Sequence, residues 1–322
     1  MKTAYKLSTF NKQNSNLSIL TLILFLLAGC SAESPNSSVP VPNVVTIDAV
    51  GLTFEAPDTI PAGWTTFRMD NKSDMIHFAI FQKFPDGKGL SDHQAEIAPV
   101  FQNIINGING REPADPEAGS APPEWYSQVE MMGGPGMVSG GDIAETTFYI
   151  EPGTYLVECY VKTGGIFHSY NPSPDLYGMA IEMVVTENPD STAAPNPTST
   201  LTVSSENGFE MDGTLTTGEN IVKVVFEDQS VYQNFVGHDV HLAKLNDDTD
   251  AETVASWMNW TSPTGLETPS PVRFIAGTNE MPEGSNAYLH LDLEPGEYLW
   301  IAETPNPESK GMMMRFSVEL AE

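Results

Sequence analysis

Short runs of alternating apolar and polar residues recur along the chain, each bounded by Gly, Pro, Asn or Ser. Residues 44–47, 65–69, 76–81, 201–203 and 221–226 follow this pattern. A period of two predicts half-buried strands, and many short strands between turn signals predict a β-sandwich. Two stretches carry a different period. Within residues 91–105, Ile97, Val100, Phe101, Ile104 and Ile105 recur at helical spacing, and residues 250–260 open on acidic side chains suited to a helix N-terminus. The expectation is an all-β architecture with short helices in the loops between strands.

The pattern repeats. Residues 187–199 (ENPDSTAAPNPTS) are too rich in Pro, Ser, Thr and Asn to pack a core and read as a linker. On either side stands the same order of elements. Glu151-Pro152-Gly153-Thr154-Tyr155-Leu156 is matched by Glu294-Pro295-Gly296-Glu297-Tyr298-Leu299, each following an alternating strand. Downstream, Gly178-Met179 and Gly311-Met312 each lead into a last strand; upstream, His77-Phe78-Ala79 is matched with His241-Leu242-Ala243. The predicted organisation is therefore residues 44–186 as a first domain, 187–199 as a linker and 200–322 as a second domain. The Pro- and Ala-rich residues 111–123 and the Gly-rich residues 131–141 are expected on the surface, outside the sheets.

Charge narrows the partners. With 14 Lys+Arg against 43 Asp+Glu the chain carries −29, and residues 1–29 contain Lys2, Lys6 and Lys12 but no acid. So acidic a body repels phosphate backbones, which excludes nucleic acid as a partner. At the N-terminus the three lysines precede an 11-residue apolar run, Leu17 to Leu27, too short to span a bilayer and suited to a signal segment. The run continues into Ala28-Gly29-Cys30, which resembles the lipobox of bacterial lipoproteins. That resemblance implies residues 1–29 as a lipoprotein signal peptide, a lipidated Cys30 as the mature N-terminus, and residues 30–43 as a tether. Membrane attachment would then run through lipid on Cys30. With Ser31 rather than Asp after the cysteine, resemblance to Gram-negative lipoproteins favours the periplasmic side of the outer membrane over the inner membrane.

Of two cysteines, assigning Cys30 to lipid leaves Cys159 without a disulfide partner, as a small buried hydrophobe or a metal thiolate. A strand bearing His, a Pro-Gly-x-Tyr turn, then Cys, His and Gly-Met before a final strand resembles the cupredoxin fold. The resemblance implies two tandem cupredoxin-like Greek-key β-sandwiches. It also implies that His77, Cys159, His168 and Met179 are ligands of one copper in the first domain, serving electron transfer, with a basic redox or envelope protein as partner. A soft thiolate, two imidazoles and a long thioether contact suit copper in both oxidation states. In the second half Ala302 stands seven residues after Pro295, as Cys159 does after Pro152, and no His lies between Ala302 and Met312. The second domain is expected to lack the site. The first departs from the familiar pattern in loop length, with 8 residues between Cys159 and His168 and 10 between His168 and Met179.

Other readings of the same residues stay open. A histidine at one strand position in both halves also fits a structural imidazole. His238, His241 and Met312–Met314 offer a second soft cluster, although strand alternation sends the two histidines to opposite faces. His93 and His290 read as surface or strand residues. No nucleophile elbow, zinc-protease helix motif, P-loop, dinucleotide fingerprint or Cys-x-x-Cys is present, so nothing selects an enzyme. The alternative to copper is a metal-free two-domain binding module of the cell envelope, presenting residues 84–142 and 244–286 to a protein or glycan, with Trp125, Trp257 and Trp260 as contact surfaces.

Overall fold

The first half contributes β1 (Asn43–Val50), β2 (Thr53–Glu55), β3 (Thr59–Pro61), β4 (Gly63–Asn71), β5 (Ile80–Lys83), β6 (Glu130–Met131), β7 (Ile143–Ile150), β8 (Gly153–Glu158), β9 (Lys162–Thr163), β10 (Ile166–Phe167) and β11 (Ala180–Thr186). The second contributes β12 (Ser199–Ser204), β13 (Gly208–Asp212), β14 (Gly218–Phe226), β15 (Val240–Lys244), β16 (Arg273–Thr278), β17 (Asn286–Leu293), β18 (Gly296–Ile301) and β19 (Met313–Val318). These come from a computed structural model that describes residues 41–320 apart from 172–177, 191 and 247. The signal segment, Cys30 and most of the tether lie outside the described residues. Among the described residues no helix is long and apolar enough to cross a membrane.

Each half is a two-sheet sandwich of the same topology. In the first, β2-β1-β4-β7 faces β3-β11-β8-β5-β6; in the second, β13-β12-β14-β17 faces β16-β15-β18-β19. Strand β1 runs parallel to β4 and β12 parallel to β14, within otherwise largely antiparallel sheets. Both halves are cupredoxin-like Greek-key sandwiches. Even the corner after the Pro-Gly turn is reproduced. Tyr155 Oη donates to the Glu151 carbonyl at 2.9 Å and Tyr298 Oη to the Glu294 carbonyl at 2.8 Å. Lys83 pairs with Glu151 as Lys244 does with Glu294.

These corners set the register, and the register corrects one expected match. Lys83 lies opposite Tyr155 and Ile80 opposite Glu158, while Lys244 lies opposite Tyr298 and His241 opposite Ile301. His241 is thus the counterpart of Ile80, and the counterpart of His77 is His238, three residues earlier. The shared His-apolar-Ala triplets suggested otherwise, but a ladder fixed by its corner outranks a three-residue likeness. The match of Cys159 with Ala302 stands: their N–H groups donate to the Met179 and Met312 carbonyls at 3.0 and 3.1 Å.

The sandwiches do not hang from a loose linker. Strands β7 and β17, each at the edge of its own sheet, pair antiparallel with Phe148 opposite Ala287 and Glu145 opposite His290, giving one eight-stranded sheet across both halves. Each thereby removes the other's unpaired edge. The opposite layer is joined too. Residues 133–139 bond β5 and its approach on one side and residues 274–280 on the other, with Gly136 N–H donating to the Gly277 carbonyl at 2.9 Å. Residues 131–141, expected on the surface, are in fact largely buried and built into this seam. Their glycines explain it: a Cβ on Gly136 would lie 2.6 Å from the Gly277 Cα, so only glycine lets the two backbones approach.

The helical residues of the first half cover the outer face of β8. They comprise α1 (Leu90–Asp92), a π-helical turn (His93–Ile97) and α2 (Ala98–Ile108). Covered on one face and facing the sandwich core on the other, β8 is buried on both, which is why Tyr155, Leu156 and Val157 run without alternation. In the second half α3 (Ala251–Met258) is capped by Asp250, whose side chain accepts from Thr253 N–H at 2.7 Å. Trp257 and Trp260 are buried and Trp125 half-buried, so the long loops pack on each other rather than presenting flat aromatic surfaces. Phe101 meets Trp260 edge-on across the two halves at 6.2 Å.

Candidate metal centre

Of the expected site residues, His77, Cys159 and His168 come together. His77 precedes β5 in an irregular segment pinned by mutual backbone bonds with Val138, at 3.1 and 2.7 Å. Cys159 follows β8 directly; alternation turns Tyr155, Val157 and Cys159 toward the sandwich core. His168 follows β10. The Cys159 Sγ lies 3.6 Å from His77 Nδ1 and 3.8 Å from His168 Nδ1, and the two nitrogens are 3.2 Å apart. All three residues are buried. Three atoms so spaced share a point about 2 Å from each, the length of a metal–nitrogen or metal–sulfur bond.

The eight-residue gap from Cys159 to His168 is taken up by a hairpin. Strands β9 and β10 pair around Gly164 and Gly165, whose φ angles of 65° and 78° suit glycine, and His168 N–H returns to the Val161 carbonyl at 2.8 Å. The gap from His168 to Met179 includes the undescribed residues 172–177, yet its ends are tied. Met179 N–H donates to the His168 carbonyl at 2.6 Å, and the Met179 carbonyl accepts from Cys159 N–H. Met179 is fully buried, its backbone bridging the two later site residues.

The second half clamps this hairpin. Lys162 N–H donates to the Leu266 carbonyl, Thr268 N–H to the Lys162 carbonyl, and Gly164 and Gly165 N–H to the Glu267 carboxylate. The buried Lys162 ammonium donates to the carbonyls of Trp260 and Ser262 at 2.8 and 3.0 Å. The clamp ends on the site itself: Thr163 Oγ1 bonds both His168 Nε2 and Thr268 Oγ1, each at 2.9 Å. A hydrogen bond on the outer ring nitrogen fixes which nitrogen faces the site.

Burial sets the protonation. It lowers His77 to about 4 and, together with repulsion from His77, His168 to about 3, so both imidazoles are neutral at ordinary pH. Burial also pushes the Cys159 thiol up to about 12, so a metal must displace its proton.

The corresponding place in the second half is filled otherwise. His238 is buried and bonded to Tyr232 Oη at 3.0 Å and the Asp228 carbonyl at 3.2 Å. Ala302 stands for Cys159. Pro307 stands for His168, since its carbonyl accepts from Met312 N–H at 2.8 Å. The His238–His241–methionine cluster does not form, because His241 turns to the seam. There it joins Asp239 and Glu303 in a second buried group of ligand-type atoms. The hydrogen bonds argue against a metal at His241. Met137 N–H can only donate, and it donates to His241 Nδ1 at 3.1 Å. The ring proton is therefore on Nε2, 2.8 Å from Asp239 Oδ2. The group pins the two halves together.

His93 is the residue the sequence reading misplaced. It is 1% exposed, on the π-helical turn, with Nε2 3.0 Å from Glu158 Oε2. Gln82 Nε2 donates to the other Glu158 oxygen. Burial would raise the Glu158 carboxyl, but His93 and these hydrogen bonds outweigh it and hold it below the usual range. No sequence signal marked His93, because its burial depends on a helix folding over β8.

No family model matches the chain, and no curated protein matches it. Among solved structures it is similar to auracyanin A, a "blue" copper protein from Chloroflexus aurantiacus, at 23% identity over 45% of this chain and 99% of that one, with a TM-score of 0.26. The dithionite-reduced auracyanin of Roseiflexus castenholzii is 19% identical over 45% and 98%, with a TM-score of 0.23. A blue copper oxidase from Nitrosomonas europaea is 11% identical over 87% and 85%, with a TM-score of 0.20. Strand order and register define the class directly: two cupredoxin-like sandwiches, of which, among the described residues, only the first brings together His, Cys and His.

Proposed function

We propose that the chain binds one copper ion through His77, Cys159 and His168, with Met179 as a weaker fourth ligand, and passes single electrons. The observation that carries this reading is the convergence of two imidazole nitrogens and a thiol sulfur within 3.2–3.8 Å of one another. Copper supplies a one-electron couple there. The residues supply the rest. Burial keeps both histidines neutral, the ties at Val138 and Met179 fix their backbones, and Thr163 orients His168. Thr163 and Thr268 give the His168 ring a hydrogen-bonded route to exposed groups. The acidic body attracts a basic redox partner. Cu²⁺ titrated into the mature full chain should bind one to one, release the Cys159 proton and give an intense visible thiolate-to-copper band. A colourless, non-stoichiometric response would remove the reading.

The chain is further proposed to be held in the cell envelope by lipid on Cys30, on the periplasmic side of the outer membrane. The support is the lysine-led apolar run ending in Leu27-Ala28-Gly29-Cys30. Cys30→Ala should move the protein from the membrane to the soluble fraction; unchanged sedimentation and no acyl label would refute the anchor.

A further inference from the structure

On the face of β8 opposite Cys159, a cavity of about 70 Å³ lies between the two sandwiches. A water-sized occupant takes about 10–15 Å³ of such space, so there is room for about five non-hydrogen atoms. Glu158 contributes to one wall; Glu280, from the second half, contributes to another.

Three buried polar atoms of its lining residues have no hydrogen-bond partner: Gln82 Oε1, His93 Nδ1 and Glu280 Oε2. Gln82 and His93 are each 1% exposed. Of these, Gln82 Oε1 and Glu280 Oε2 are oxygens able to accept. The Gln82 amide N–H is committed to Glu158. His93 Nε2 faces the Glu158 carboxylate and so donates to it. Glu280 Oε2 is a carboxyl oxygen; its partner atom Oε1 accepts from Gly237 N–H at 3.3 Å. Among the described residues no Lys or Arg forms an ion pair with Glu280. Burial, and then Asp239, push its carboxyl up to about 8, as expected of a carboxylate lacking a counter-cation.

The remaining walls are mostly apolar and include a cluster of aromatic rings. Phe101 stands edge-on to Tyr126, Phe235 and Trp260 at 5.9, 5.7 and 6.2 Å, and all four line the cavity. Phe235 is 53% exposed and has φ 64°, a conformation that is an outlier for a bulky residue and gathers at functional positions. Aromatic faces and unpaired acceptors around a small space suit one kind of guest: a cation that donates hydrogen bonds.

We propose that this cavity is a binding site for a small primary ammonium ion, its N–H groups meeting Gln82 and Glu280 and its carbon chain lying against Phe101, Phe235 and Trp260. The proposal is independent of copper and is tested on the metal-free full chain. The probe is propylammonium, with 1-propanol as its neutral counterpart, followed by calorimetry and by Trp fluorescence at 0.15 M salt and about pH 9, where the Glu280 carboxyl is ionised and the amine still protonated. Propylammonium should bind at one saturable site per chain, at least about tenfold tighter than propanol. Glu280→Gln, which keeps the shape and removes the charge, should weaken it by about tenfold and leave propanol unchanged. Phe235→Ala, at the exposed mouth, preserves the fold and should weaken it several-fold. Equal binding of the amine and the alcohol, no saturable binding, or affinity unaffected by both substitutions would overturn the proposal.

Discussion

Cys159→Ser is expected to abolish the visible copper band and to weaken copper binding by more than about a hundredfold, since even an outer-shell partner is worth about 10–100-fold. A hydroxyl has neither the covalency nor the softness of the thiolate. The fold should survive. Serine is nearly isosteric, and the strand is held by ladders on both sides, with Ile181 opposite Val157 and Phe81 opposite it on the other flank. Unchanged colour and affinity in this variant would show that copper does not meet Sγ.

The second large effect lies outside the site. Gly136→Ala should cost about 3 kcal/mol of stability, at the upper end for overpacking, because the new methyl meets backbone rather than a side chain able to turn aside. It would stand 2.6 Å from Gly277 Cα and 2.7 Å from His241 Nδ1, the atom that receives Met137 N–H. Residues 133–138 also hold His77 through Val138, so copper affinity should fall with stability. Gly107→Ala is the control: it sits on α2 with open space around its Cβ and should be neutral or mildly stabilising. Urea unfolding of the two variants measures the contrast; equal midpoints would mean that the seam tolerates a side chain and that the halves are less closely joined than their ladders imply.

The parts of this account legible in the sequence are those that local chemistry writes down. A Pro-Gly turn followed by Tyr forms the same corner twice, and a lone cysteine on an apolar strand with histidines before and after it marks one sandwich and not the other. What escaped was set by tertiary contact. His77-Phe78-Ala79 and His241-Leu242-Ala243 look alike, but the corners at Tyr155 and Tyr298 shift the true match to His238. Gly-rich residues 131–141 carry the composition of a surface loop, and only the facing glycine at 277 shows that they are a seam. The Cys159–His168 gap of 8 residues departs from the familiar loop length. Its Gly164-Gly165 turn makes a hairpin whose stability comes from Glu267 and Leu266 of the other half. The second sandwich, which has Ala302 where the first has Cys159, thus gains a role, holding the hairpin that carries His168.

Copper-edge X-ray absorption on the one-to-one complex of the full chain tests the central claim most directly. The account predicts one short sulfur neighbour and two imidazole nitrogens, with the sulfur signal lost in Cys159→Ser. A copper surrounded only by oxygen and nitrogen, identical in the two proteins, would contradict it.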